Sequence, residues 1–310
     1  LHLSGIFFNI ISAVQIKTKE MPMKQSQILL SAIVLSFLSA TVAVKVFSTT
    51  AVTPTLTTKT MDRILATNTL RCGYAVWPPG LLKDPNTSKL SGINYEIMEQ
   101  IGRELDLKID WVEEVGFGNF IEGMRNHRYD VMCTSVWPDA PRIRYLLYSN
   151  PTYYSPIYAY VRADDHRFDG NLQRINKDDV MIAAIDGDIS QTQARIDFPH
   201  AKMFSLPQTA EGSEILLAVI SKKADLVFSD KGNFNAFNKH NPGKLRAVSN
   251  VGPATIFAEP VAFLPEDTQL QSMVNLAIRN LVDNGKIDRI LAKYPEGDYL
   301  HPLPTYKAVR

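Results

Sequence analysis

The chain has 310 residues, with 33 Lys and Arg against 32 Asp and Glu and a net charge of +1. That is enough chain for two α/β lobes, and the even charge balance excludes the basic stripe of a nucleic-acid surface. Two cysteines, Cys72 and Cys133, without a CxxC pair, and six scattered histidines without HExxH spacing, argue against a zinc site or a disulfide-stapled scaffold.

The N-terminus differs from the rest. Met23-Lys24 precedes an uncharged apolar run, Ile28 to Val44, closed by Lys45. A basic start before an apolar stretch is the layout of an export signal. No lipobox cysteine accompanies it, and no clean A-x-A site marks cleavage, so residues 23–48 read as a signal peptide or an uncleaved membrane anchor. Residues 1–22 are an N-terminal extension with a second apolar patch, Gly5 to Val14, and 49–60 are a Thr-rich linker.

Order is expected from Met61. A short helix over Met61–Leu65 leads to a strand, Leu70–Tyr74; Trp77-Pro78-Pro79-Gly80 then stops regular structure, and Asp84-Pro85-Asn86 turns. Ile97, Ile101 and Leu105 share one helical face. Leu107, Ile109 and Trp111 alternate with polar residues as a strand does. A helix from Phe117 to His127 enters the apolar strand Val131–Cys133, and Tyr153–Val161 is a strand leaving this unit. The strand–helix–strand rhythm implies a parallel sheet covered by helices.

A second unit of the same kind starts near Asp178. Its strands are Val180–Ile185, Met203-Phe204, Leu226–Phe228 and Leu245–Val248; its helices are Ser190–Phe198, Glu211–Ile220 and Gly232–Lys239. Ile256–Leu264 reads as one strand. Thr268–Val282 is an amphipathic helix with Leu270, Val274, Ile278 and Leu281 on one face, and Ile287–Tyr294 is the last helix. Pro302 and Pro304 end the fold.

The units share a phrase. Arg128-Tyr129-Asp130 before Val131–Cys133 and Thr134-Ser135 matches Lys223-Ala224-Asp225 before Leu226–Phe228 and Ser229-Asp230. Ligands of open parallel sheets lie beyond the strands' carboxyl ends, so Thr134-Ser135 and Ser229-Asp230 are either site walls or helix N-caps. Cys72 and Cys133 end neighbouring parallel strands, and the awkward geometry of a bridge there favours two buried free thiols.

Several phrases, in order, resemble the bacterial extracellular solute-binding proteins of the polar-amino-acid type (family 3), which feed ABC importers. They are Leu70–Gly73, Trp77–Pro79, Leu90–Ile97, Arg128–Val131, Ser149–Ser155 and Asn284–Ile290. The resemblance implies a two-lobed α/β periplasmic-binding-protein-like fold of type II with two hinge strands. Lobe 1 would take 61–156 plus 256–297, lobe 2 157–255, and the C-terminal tail 298–310, with crossings near Ser155–Tyr160 and Gly252–Phe257. It also implies a periplasmic, monomeric protein that closes on a small amino-acid-like molecule and meets the importer's membrane subunits, with no cofactor, metal or nucleic acid.

The family's site carries over residue by residue. Arg142 would clamp a carboxylate, with Arg144 as the alternative, because a guanidinium offers two parallel donors. Asp230 would hold an ammonium. Thr134 and Ser135 would contact the ligand, the loop from Gly187 to Ser190 would offer helix N–H groups, and Trp77 and Phe117 would sandwich it. Trp137 stands where the family has Ser or Thr, Asp139-Ala140 replace Thr-Pro, and Ala75 replaces an Asp. These departures leave a cationic or aromatic ligand, or an amino-acid derivative, as open as a standard amino acid. Two further readings are a cyclohexadienyl or arogenate dehydratase-like enzyme, with Asp188, Asp230 or Glu259 as general acid, and a membrane-tethered ligand-sensing module.

Overall fold

The computed structural model of the protein describes residues 59–138 and 142–302. The readings made for residues 1–58, for Asp139-Ala140 and for Pro304 lie outside the described residues.

Two sheets organise the chain. The first has the order β4-β1-β5-β13-β6, where β1 is Thr69–Tyr74, β4 Lys108–Glu114, β5 Val131–Met132, β6 Leu147–Tyr148 and β13 Ala262–Phe263. Between β1 and β4 come a small hairpin, β2 (Leu82–Lys83) with β3 (Leu90–Ser91), and helix α2 (Ile93–Leu105). Helix α1 (Lys59–Thr67) precedes β1, and α3 (Phe120–Arg125) precedes β5. The second sheet has the order β11-β7-β10-β8-β9, where β7 is Tyr154–Arg162, β8 Met181–Ile185, β9 Lys202–Leu206, β10 Leu226–Asp230 and β11 Leu245–Ala247. Its helices are α4 (Ile189–Asp197), α5 (Gly212–Ile220) and α6 (Lys231–Asn238). Strand β12 (Thr255–Ala258) pairs antiparallel with the start of β7, and α7 (Thr268–Asp283) and α8 (Lys286–Leu291) follow β13.

Each sheet has its own core. Leu270, Val274, Ile278 and Leu281 of α7 are buried with Ile97 and Ile101 of α2 over the first sheet, as their spacing predicts. Ile182, Leu226 and Phe228 are buried within the second. The repeated phrase has one physical job in both. Asp130 accepts the backbone N–H of Arg71 on β1 at 2.7 Å and pairs with Arg63 and Arg71. Asp225 accepts the backbone N–H of Met181 on β8 at 2.9 Å and pairs with Arg162 and Arg167. In each unit a carboxylate on the loop before one parallel strand pins the start of its neighbour.

The segment read as one strand over Ile256–Leu264 is broken in two. β12 lies on β7, β13 lies in the first sheet, and Glu259-Pro260 stand between them. Pro260 has no N–H for a ladder. Glu259 instead donates its backbone N–H to Tyr153 at 3.0 Å and accepts from Thr152 at 3.1 Å, so the two chain crossings between sheets are tied side by side. Residues at the head of the C-terminal tail also belong to the fold: Leu300 and Tyr154 exchange backbone hydrogen bonds at 2.9 and 3.0 Å.

The cysteines correct the free-thiol expectation, since Cys72 and Cys133 form a disulfide with Cα atoms 5.4 Å apart. Cys72 is in register with Val131. Cys133, two residues on, therefore points to the same face of the sheet and sits diagonally past the end of β5, within bridging distance. Both lie in the core under α2 and α7. The bridge closes a loop with a sequence separation of 61. Chain-entropy reasoning gives such a loop about 4 kcal/mol. Urea unfolding of the Cys72→Ala, Cys133→Ala double variant is expected to show a loss of that order; an unchanged midpoint would remove the bridge from the stability of this lobe.

Candidate functional site

The site begins with local backbone. Gly92 has φ +113°, and a Cβ there would lie 2.7 Å from the Pro79 carbonyl. Only glycine allows that approach. It lets the N–H groups of Ile93 and Asn94, free at the start of α2, donate to Pro79 and Gly80 at 3.1 and 2.7 Å. The Pro-Pro loop is thereby fixed on α2, and Trp77 with it.

A cavity enclosing about 710 Å³ of non-atom space, its mouth included, opens between the two sheets. Its walls include Trp77, Phe117, Thr134, Ser135 and Arg142 from the first lobe and Ser190 and Asp230 from the second. The seven residues predicted from sequence therefore meet in one place. Arg144 is exposed on the same short 3-10 turn and is not part of the wall.

Their partners are less uniform. The Arg142 guanidinium donates to the Gly187 carbonyl across the cleft and lies 5.8 Å from the Phe120 ring centroid. The Thr134 hydroxyl accepts from the Ala75 N–H at 3.0 Å and donates to the Ala75 carbonyl at 2.9 Å. Ser135 donates to Asn94 at 2.9 Å. Both hydroxyls thus brace the wall they form. Asp188 caps α4, accepting from the Ser190 N–H at 2.8 Å and hydroxyl at 2.5 Å. Asp230 is both wall and cap: its Oδ1 accepts from the Asn233 N–H at 2.8 Å at the start of α6. Ser229, its partner in the repeated phrase, accepts from Asn233 instead and is not a wall residue.

Two indoles reach two buried carboxylates. Trp77 Nε1 donates to Asp230 Oδ2 at 2.9 Å, from one lobe to the other, and Trp77 meets Phe117 edge-on with centroids 5.9 Å apart. Trp137 Nε1 donates to Glu259 Oε1 at 2.7 Å and stacks on Phe257 with centroids 4.5 Å apart. Asp230 and Glu259 are 3% and 6% exposed. Burial raises both carboxyls above their ordinary range, and the neighbouring Asp230 adds to the effect on Glu259, which is pushed up to about 8. Tyr153 and Tyr299, also on the wall, are raised by burial and then by these two carboxylates.

Trp137 stood in the sequence as a departure from the family's hydroxyl and Glu259 as a possible acid; the cavity gathers both, together with Asn94 from the phrase Leu90–Ile97. Tyr299 gave no signal, being placed in the tail, yet its hydroxyl would lie 2.2 Å from a Cβ on Gly232. Among the described residues no cluster of His, Cys, Asp and Glu could hold a metal, and no helix is long and apolar enough to cross a membrane.

A cleft between two α/β lobes, crossed by two strands at one edge and lined from both sides, defines a binding protein that encloses a small solute. The match to the family model of bacterial extracellular solute-binding proteins, family 3, spans residues 70–297, and the chain belongs to that family. It is 23% identical over 217 residues to the L-cystine-binding protein TcyJ of Bacillus subtilis strain 168, covering 68% of this chain and 78% of the relative. Its fold is similar to a mutant of ArgBP from T. maritima (TM-score 0.64, 21% identity), with 75% of this chain and 97% of the other covered. It is likewise similar to an ancestral amino acid-binding protein described as a precursor of cyclohexadienyl dehydratase (TM-score 0.65, 21% identity), with 75% and 98% covered. The amino acid ABC transporter substrate-binding protein AbpA of Streptococcus pneumoniae, bound to L-arginine, aligns with TM-score 0.64 at 18% identity over 75% and 96% of the two chains.

Glu259 sets a pH dependence of stability. Its carboxyl lies near 8 in the folded protein and near 4.5 as a free side chain. The folded state therefore binds the extra proton between those values, and stability falls as pH rises through that window. Glu259→Gln, which mimics the protonated form, is expected to match the parent at pH 5 and to exceed it by on the order of 3 kcal/mol at pH 8.5 in ligand-free protein. Equal urea midpoints at both pH values would contradict the buried, protonated carboxyl.

Proposed function

We propose that the protein binds an α-amino acid or a close derivative in this cleft and delivers it, as a monomer in the periplasm, to the membrane subunits of an ABC importer. The observation that carries the reading is the division of opposite charges between lobes. Arg142 stands on the first and Asp230, buried, on the second, within one cavity. A guanidinium suits a carboxylate and a buried carboxylate suits an ammonium. An amino acid spans both, so its affinity is largest when the lobes are together, which is the differential affinity that drives hinge closure. Among the described residues Asp230 is held in place for this by neutral donors alone, the Trp77 indole, the Asn233 and Gly232 N–H groups and the Tyr299 hydroxyl. Trp77 and Phe117 supply apolar faces between the charged ends. The amino acid ligands in the names of the cystine-binding relative and of the arginine-bound structure support the same class.

A dehydratase-like reaction on the same scaffold is the second reading, favoured by one observation. Glu259 lines the cavity and holds its proton at neutral pH, as a general acid must. Turnover of prephenate or arogenate would establish it.

The binding reading is tested first by thermal shift over amino acids, opines, polyamines and aromatic acids, because a ligand of the native state raises its apparent stability. For any amino acid found, Arg142→Ala is expected to weaken binding about 100-fold or more by calorimetry. Asp230→Ala should weaken only ligands that carry an ammonium. Unchanged affinity in Arg142→Ala would take the guanidinium out of the site.

A further inference from the structure

Among the described residues three carboxyl groups, those of Asp188, Asp230 and Glu259, face this cavity against one guanidinium, Arg142. An α-amino acid held as proposed above would set its carboxylate against Arg142 and its ammonium against Asp230. Asp188 is occupied as the cap of α4. Glu259 is then a deeply buried carboxyl group that the amino-acid backbone leaves over. Among the described residues it has no ion-pair partner: its side chain is held by the Trp137 indole and the Ser155 hydroxyl. A buried carboxylate held only by neutral donors is costly when ionised.

Its place in the fold is specific. Glu259 stands at the end of β12, where the chain passes from the second sheet to the first, with its backbone bonded to Thr152 and Tyr153 on the other crossing. The ionisable groups facing it are Asp230 at the end of β10, Tyr153 before β7 and Tyr299 from the tail. All are anionic or neutral. Among the described residues the one basic wall residue is Arg142, whose guanidinium donates to Gly187.

We propose that Glu259 is a second, hinge-borne anchor that selects amino acids with a positively charged side chain. This deepens the amino-acid reading and rests on it. Asp230 and Glu259 would share the two positive charges of such a ligand, the indoles of Trp77 and Trp137 holding each carboxylate in place. Binding the cation favours the ionised form of Glu259, so at neutral pH the proton leaves Glu259 for solvent as the ligand enters. A neutral side chain of the same shape leaves Glu259 protonated and releases none.

L-Arginine and L-citrulline test this, because they differ in charge and hardly in shape. By calorimetry the wild-type protein is expected to bind arginine at least tenfold more tightly than citrulline at pH 8. Its arginine affinity should rise by up to about tenfold from pH 6 to pH 7, with proton release, and its citrulline affinity should stay level. Glu259→Gln is expected to lose the discrimination and the pH slope, with citrulline affinity within about threefold of wild type. Citrulline bound as tightly as arginine by the wild-type protein would overturn the assignment of Glu259 and leave the amino-acid reading standing. So would equal losses for both ligands in Glu259→Gln, the mark of a merely structural role. Binding of neither ligand, nor of any other amino acid, would instead remove the amino-acid reading itself.

Discussion

The structure turns on two carboxyl groups kept away from water where the two lobes meet. Asp230 and Glu259 are almost fully buried, and each is held by a tryptophan indole. An indole N–H is a weak, neutral counterpart to an anion. It orients a carboxylate without neutralising it, so these groups stay available to a cation in a way that an ion-paired carboxylate would not. The contrast with Asp130 and Asp225 is direct: each of those has two arginines and a backbone N–H and serves only to pin strands.

That division explains what the repeated phrase achieves. In each unit the first acidic residue is neutralised at the base of a parallel strand, and the far end of that strand reaches the cavity, through Thr134 and Ser135 in one unit and Asp230 in the other. The scaffold therefore places its rigid, charge-satisfied end far along the strand from its functional end. The disulfide adds to the rigid side in the first lobe, since Cys133 directly precedes Thr134 and Ser135. Their hydroxyls are spent on Ala75 and Asn94. This wall is braced from behind and offers shape more than donors.

Much of the fold was legible because periodicity survives in single sequences. The α7 stripe, the α2 face and the continuous apolar strands all appear where the spacing puts them. Failures occurred where three-dimensional registration decides the outcome. The run Ile256–Leu264 has the composition of one strand, and nothing local says that Pro260 marks a change of sheet. Residue parity along the strands, which makes the Cys72–Cys133 bridge feasible, needs a register that only the paired strands supply. Of the seven residues that line the cavity, Thr134, Ser135 and Asp230 follow from the strand-end rule as well as from phrase order, and Trp77, Phe117, Arg142 and Ser190 from phrase order alone. Trp137 and Glu259 are distant in sequence, and their hydrogen bond has no spacing signature. Tyr299 is the extreme case, since its role depends on a tail that folds back along Tyr154.

The hinge position of Glu259 has consequences that a wall position would not. A charge fixed on one lobe changes the affinity of that lobe alone. Glu259 is instead bonded through its backbone to the outgoing crossing, so it belongs to the join between the sheets rather than to one wall. In the present arrangement of the lobes Asp230 and Tyr299 stand beside it, and burial together with Asp230 makes its ionisation costly. A cation in the cleft reverses that cost. Closure without a cation therefore forces a proton onto Glu259, whereas closure with one does not. In that way a single carboxylate at the crossing couples the charge of the solute to the free energy of bringing the lobes together.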